Sequence, residues 1–201
     1  LSEGAKITDL DEYKKILDTF QGAGYNEIDT ARVYVGGKQE AFTREAGWKE
    51  RGLTCATKWY PFSPGAHAAA KVEEKLNESL KELGTDCIDI FYLHAADRSV
   101  PFQETLAKLN ELHKAGKFVQ LGLSNFTAFE VAEIVMHCKY NNWVRPTIYQ
   151  GMVSVSEDRY STSKYHFTNP SQSTTPSPET LKPSSSPPAA AMAWTSWSTT
   201  P

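Results

Sequence analysis

In the stretch IDTARVY, a carboxylate, Asp29, and a phenol, Tyr34, stand where an apolar run gives way to a turn. Further along, the runs TCATK and IDIFYLH end in a lysine, Lys58, and a histidine, His94. Together these four residues offer a chemistry that none has alone. Tyrosine is a weak acid, with an unperturbed pKa of about 10. A nearby ammonium stabilises the phenolate and lowers that value. A carboxylate beside the lysine holds it charged and oriented, and an imidazole near the phenol can hydrogen-bond a carbonyl oxygen. Such a set suits protonation of a carbonyl oxygen while hydride arrives at its carbon. The hydride has to come from a nicotinamide, because no side chain supplies it. Each residue alone has a plainer reading: a turn or N-cap for Asp29, a packed aromatic for Tyr34, a solvated Lys58, a satisfied core histidine for His94. Their recurrence at successive strand ends is what favours the joint reading.

The elements that must position them follow from the apolar pattern. Strand-like runs occupy 25–29, 54–58, 88–94, 118–125 and 147–150. Their starts are spaced by about 30 residues, the length of one βα unit. Helical periodicity lies between them. TDLDEYKKILDTFQGAG carries Leu10, Tyr13, Ile16, Leu17 and Phe20, with Thr8 as the expected N-cap and Gly24 as the stop. AAKVEEKLNESLKELG places Val72, Leu76, Leu80 and Leu83 on one face. PFQETLAKLNELHKAG repeats Phe102, Leu106, Leu109 and Leu112. TAFEVAEIVMHC opens on a Thr127–Glu130 capping box and should bury Val131, Ile134, Val135 and Cys138. The stretch 38–50 is a weaker helix.

Regular alternation of strand and helix predicts a parallel sheet. A Rossmann-type sheet would need a glycine-rich phosphate turn after its first strand, and GGKQE does not fit GxGxxG. A (β/α)8 barrel gathers its chemistry at the C-terminal ends of its strands. Here those ends read Asp29, Lys58, His94, Ser124-Asn125 and Gln150, all polar. The fold expected is therefore α/β, an incomplete (β/α)8 TIM barrel of about five units over residues 1–152. A whole barrel takes about 250 residues, against 201 here. The first strand is expected to be missing, and periodicity stops after IYQGM. Between 161 and 201, 25 residues are Ser, Thr or Pro, a composition that buries too little to offset chain entropy. Residues 153–201 are accordingly expected to be a disordered low-complexity tail, read as an altered C-terminus, with a mucin-like stalk as the alternative. The sheet edges at 25–29 and 147–150 would then stand open.

The motifs GYNEIDTARVY, ATKWYP, DIFYLHAADRS and LGLSNF resemble those of the aldo-keto reductases, nearest to the aflatoxin-aldehyde/succinic-semialdehyde reductase branch in a fungal-like form. The resemblance covers roughly residues 5–152. It implies a (β/α)8 barrel that reduces aldehydes or ketones with NADPH. By that resemblance Tyr34 is the general acid, Lys58 and Asp29 tune it, and His94 orients the substrate carbonyl. Ser124, Asn125 and Gln150, with Asp29, hold the nicotinamide end of the cofactor. The match also has departures. A tyrosine that stacks on the nicotinamide is expected after the sixth barrel strand, where Val153 follows Met152. The seventh and eighth strands, which bring the cofactor's phosphate-binding loops, are not found. A catalytically dead fragment, or a binding or regulatory protein on the same scaffold, is therefore kept beside the reductase reading.

Composition narrows the partners. A net charge of -3 gives no reason to expect nucleic acid, and no apolar run is long enough to span a membrane. Cys55, Cys87 and Cys138 form no CxxC motif and read as buried free thiols in a reducing, cytoplasmic setting. The five histidines show no metal-ligand spacing. A small aldehyde or ketone is the expected partner, and a homodimer stays open.

Overall fold

The computed structural model describes residues 5–154 and 160–166. Five βα-type strands run in chain order across one sheet: β1 (Glu27–Asp29), β2 (Thr54–Trp59), β3 (Ile88–Leu93), β4 (Phe118–Ser124) and β5 (Pro146–Ser154). Each pairs in parallel with the next. Helices α1 (Leu10–Gly22), α2 (Gln39–Glu45), α3 (Ala69–Leu83), α4 (Phe102–Lys114) and α5 (Ala128–Asn141) precede or separate them.

The sheet is rolled. Gln150 Nε2 on β5 donates to Asp29 Oδ2 on β1 at 3.3 Å. In a flat sheet, strands four places apart would stand roughly 19 Å from one another at about 4.8 Å per step. Only a curled sheet brings those side chains together, so the five units form a half-barrel.

The strand period of two separates its faces. Cys55, Phe91, Leu93, Leu121 and Leu123 point outward into the large core against the helices. Ala56, Ile90, Tyr92 and Ile148 form a smaller cluster on the concave side. There, a Cβ on Gly122 would stand 2.3 Å from the Tyr92 ring, so only glycine lets that ring lie across β4. On the helix side, Val72, Leu76, Leu80 and Leu83 are buried at helical spacing, and α3 stops at left-handed Gly84. Leu106, Leu109 and Leu112 do the same for α4. Each such leucine contributes about 1.5–3 kcal/mol by leaving water.

The Thr127–Glu130 capping box forms at the start of α5. Ile134 and Cys138 are buried there, while Val131 and Val135 are only half-buried. Other details differ from expectation. α1 is capped by Asp9, whose carboxylate accepts from Glu12 N at 2.7 Å, and not by Thr8. An ionised oxygen makes the stronger bond to a helix N-terminus. The weak helix at 38–50 shortens to α2, because Gly47 turns left-handed at φ 76°. Cys55 and Cys138 are buried free thiols, but Cys87 is exposed. It sits in the turn before β3, outside the alternation that buries its neighbours.

The edge at 147–150, expected to stand open, is paired: Val153 and Ser154 extend β5, and a further strand, β6 (Tyr160–His166), runs antiparallel to it from Ile148↔His166 to Ser154↔Tyr160. Backbone pairing alone satisfies such an edge, and it needs no apolar periodicity to announce it. The rest of the expected tail, from residue 167, lies outside the described residues. No helix among the described residues is long and apolar enough to cross a membrane, and no group of metal-ligating side chains occurs among them.

Candidate active site

Asp29, Lys58 and His94 stand at or just after the C-terminal ends of β1, β2 and β3, and Tyr34 stands in the turn that leaves β1. The fold brings all four together. Lys58 is wholly buried, and its Nζ lies 2.6 Å from Asp29 Oδ2 and donates to Thr30 O at 2.9 Å. The same ammonium stands 5.2 Å from the centre of the Tyr34 ring and 5.5 Å from that of Tyr92. The His94 ring meets Tyr34 edge-on, centroids 5.7 Å apart, and also meets Tyr60 edge-on at 5.5 Å.

The electrostatics depart from expectation at the phenol. Lys58 was expected to lower the Tyr34 pKa; in this chain it is raised, first by burial and then by the negative charge of Asp29. The ammonium sits against the ring, and its charge is already paired with Asp29. Tyr34 therefore keeps its proton at neutral pH. His94 shifts the other way. Burial, then the Lys58 charge, push its pKa down to about 4 against the pull of Asp29. Its ring is thus neutral at pH 7. His94 Nδ1 and the Tyr92 hydroxyl are buried without a hydrogen-bond partner among the described residues.

The second set lies on β4 and β5. Asn125, in a left-handed conformation at φ 58°, donates from Nδ2 to His94 O at 2.9 Å and to Ser124 Oγ at 3.1 Å. Its own N–H donates to Gln150 O at 3.3 Å, and Gln150 Nε2 reaches Asp29. Both amide nitrogens are engaged within the protein. What Asn125, Gln150 and Ser124 can offer a ligand is two amide oxygens and a hydroxyl. Two acceptors and a hydroxyl suit a carboxamide, which brings its own N–H donors and C=O acceptor. This set of two acceptors and a hydroxyl thus fits the nicotinamide end of a dinucleotide.

Sequence reasoning missed Glu40, Arg32 and Thr57, which tie the Tyr34 turn to β2. Glu40 is fully buried on α2; it accepts from Thr57 Oγ1 at 2.6 Å and from the Arg32 guanidinium. A signal existed: Thr57 is a polar residue on the otherwise apolar outward face of β2, and a buried hydroxyl needs a partner.

A sequence model of the Aldo/keto reductase family matches residues 1–166. Over 164 residues the chain is 41% identical to the aldo-keto reductase pigE of Monascus ruber, an alignment that takes in 77% of this chain and 48% of that protein. It is 42% identical over 154 residues to aflatoxin B1 aldehyde reductase member 4 of Homo sapiens, covering 75% of this chain and 46% of the relative. With aflatoxin B1 aldehyde reductase member 2 of Rattus norvegicus it shares 42% over 141 residues, 68% of this chain and 38% of the relative. The chain spans about half the length, or less, of these curated relatives. A family match running through every strand-end residue described above agrees with the rolled βα sheet: the chain belongs to the aldo/keto reductase family.

Proposed function

We propose that this chain carries the catalytic half of an NADPH-dependent carbonyl reductase acting on aldehydes or ketones. The observation that carries the reading is the buried Lys58–Asp29 pair, 2.6 Å apart, set against a phenol whose other neighbour is a neutral imidazole. When bound, the reduced nicotinamide supplies hydride. Ser124, Asn125 and Gln150 hold its carboxamide. Neutral His94 hydrogen-bonds the substrate carbonyl and aligns it with Tyr34. The Tyr34 hydroxyl, held protonated by its surroundings, gives its proton to the carbonyl oxygen. The phenolate that remains lies near the Lys58 ammonium, which Asp29 and the Thr30 carbonyl fix in place. The same reading puts the protein in the cytoplasm, with three free thiols.

The test uses a complete barrel, made by joining residues 1–152 to the opening strand and the closing βα units of the Monascus ruber relative. Stopped-flow reduction of 4-nitrobenzaldehyde by NADPH should fall by about 10²–10⁴-fold in Tyr34→Phe, the usual weight of a general acid. Cofactor binding, followed by quenching of NADPH fluorescence, should be unchanged. Near-normal turnover in Tyr34→Phe would sink the assignment.

A further inference from the structure

After Tyr34 the backbone makes three successive left-handed residues: Val35 at φ 53°, Gly36 at φ 62° and Gly37 at φ 81°. Glycine takes this conformation freely, but a β-branched residue such as Val35 does not. A disfavoured conformation persists only where its surroundings over-determine it. Here the surroundings include one carboxylate and one guanidinium. Arg32 stands two residues before Tyr34 and donates to the Gly37 carbonyl, closing the turn upon itself. A Cβ on Gly37 would lie 2.6 Å from Arg32 Nη2, so the glycine also makes room for the clamp. The guanidinium is held in turn by fully buried Glu40, whose second oxygen accepts from Thr57 at 2.6 Å. Thr57 immediately precedes Lys58. The Arg32 N–H donates to the Lys58 carbonyl at 3.0 Å and completes the circuit.

We propose that Glu40 is a positioning residue for Tyr34: through Arg32 and Thr57 it holds the strained Tyr34–Gly37 turn in register with β2, and so fixes the phenol against Lys58 and His94. The hydrogen bonds of Glu40 go to Arg32 and Thr57, so it acts on Tyr34 through the turn. The proposal rests on reading Tyr34 as the proton donor. Its test is therefore a measurement of where Tyr34 sits, which stands whether or not that reading holds.

In the full 201-residue chain, ring-proton NOEs between Tyr34 and His94 report the edge-on contact. Glu40→Gln keeps the shape but removes the charge that grips the Arg32 guanidinium, and it can meet Thr57 only by turning that hydroxyl from donor to acceptor, so the clamp is loosened. The expected result is loss of the Tyr34–His94 NOE while the resonances of Tyr149 and Trp48 stay in place. Adding Val35→Asn, which tolerates the left-handed region, should restore the NOE without restoring the carboxylate. A residue that merely stabilised the fold would show no such rescue. In the complete barrel, Glu40→Gln should lower kcat by up to about a hundredfold, with KM nearly unchanged, as expected for misplacement of a reacting group. If Glu40→Gln fails to fold, Arg32→Gln decides, since that side chain is partly exposed. Loss of the NOE in folded Arg32→Gln supports the clamp. An intact NOE in either folded variant, or loss that Val35→Asn does not reverse, overturns it. Failure of the Tyr34→Phe assay alone would refute the acid and leave the clamp standing.

Discussion

Two ion pairs in this chain have similar lengths and different surroundings. Lys58 and Asp29 meet at 2.6 Å on the concave side of the sheet, with side-chain exposures of 0% and 33%. Arg98 and Glu130 meet at 2.7 Å on the outer rim, at 65% and 11%. Around the rim pair the polar groups close on one another. Glu130 accepts from Arg98 Nε and Nη2 and from the Thr127 N–H and hydroxyl, which completes the α5 cap. Beside the concave pair, the Tyr92 hydroxyl and His94 Nδ1 are buried without partners among the described residues. Native interiors rarely leave such groups unmet. The rim pair is saturated and serves the helix it caps. The concave pair stands among groups with bonds still to make, as a site that receives a ligand requires.

The largest effect should come from breaking the concave pair. In the complete barrel, Lys58→Met is expected to reduce turnover by about 10²–10⁴-fold, because the phenolate loses its cation. Removing one partner of a buried pair usually destabilises by leaving the other uncompensated. Asp29 is a third exposed and can hydrate, so the variant should fold. Single-turnover kinetics beside a thermal melt separate the two consequences. A folded Lys58→Met with ordinary turnover would make this pair as structural as the one on the rim.

Next in size is Gly122→Ala. The added Cβ would meet the Tyr92 ring at 2.3 Å, and that ring lies beneath Lys58 Nζ at 5.5 Å. Overpacking of this kind costs about 1–3 kcal/mol. Urea unfolding should show the loss, with turnover falling as well because the displaced ring pushes on the lysine. Unchanged stability would mean that the concave cluster has slack.

Much of this arrangement was legible in local pattern. Apolar runs marked the strands, the period of 3.6 placed Leu76, Leu80 and Leu109 in the core, and Thr127–Glu130 announced its own cap. Strand ends sufficed to nominate Asp29, Lys58 and His94. Three features were hidden because they depend on distant partners. Glu40 in the first turn of a short helix reads as a solvated charge until Thr57 and Arg32 are seen beside it. The raised pKa of Tyr34 follows from its burial and from the charge of Asp29 nearby, neither of which a sequence states. β6 pairs through its backbone, in a stretch without apolar periodicity.

His94 allows a subtler comparison through pH. Its pKa is pushed down to about 4 in the folded chain, from the ordinary imidazole value of 6.5. Between those values the unfolded chain binds a proton that the folded chain refuses, so stability rises with pH across that window. The contribution is complete above about 6.5 and is lost as pH falls toward 4. Melts from pH 7 to pH 4 should show a decline that His94→Gln flattens. An equal decline in His94→Gln would assign it to other groups.

The smallest effect should be at the rim. Arg98→Ala removes a bidentate pair that looks stronger on paper than the single contact at Lys58. Yet the Arg98 side chain is 65% exposed, and solvent screens it in either state. Glu130 Oε2 keeps its bonds to the Thr127 N–H and hydroxyl when the arginine is gone, and Oε1, which accepts from Arg98 Nε, is opened to water in its place, so the N-terminus of α5 stays capped. The expected cost is about 0–1 kcal/mol, shrinking further in 1 M salt. Thr127→Ala, which does break the cap, should cost about 1 kcal/mol. Urea midpoints for the two variants at low and high salt make the comparison. If Arg98→Ala costs more than Thr127→Ala and salt does not reduce the difference, the rim pair bears on the fold as an ion pair, and its resemblance to Lys58–Asp29 runs deeper than geometry.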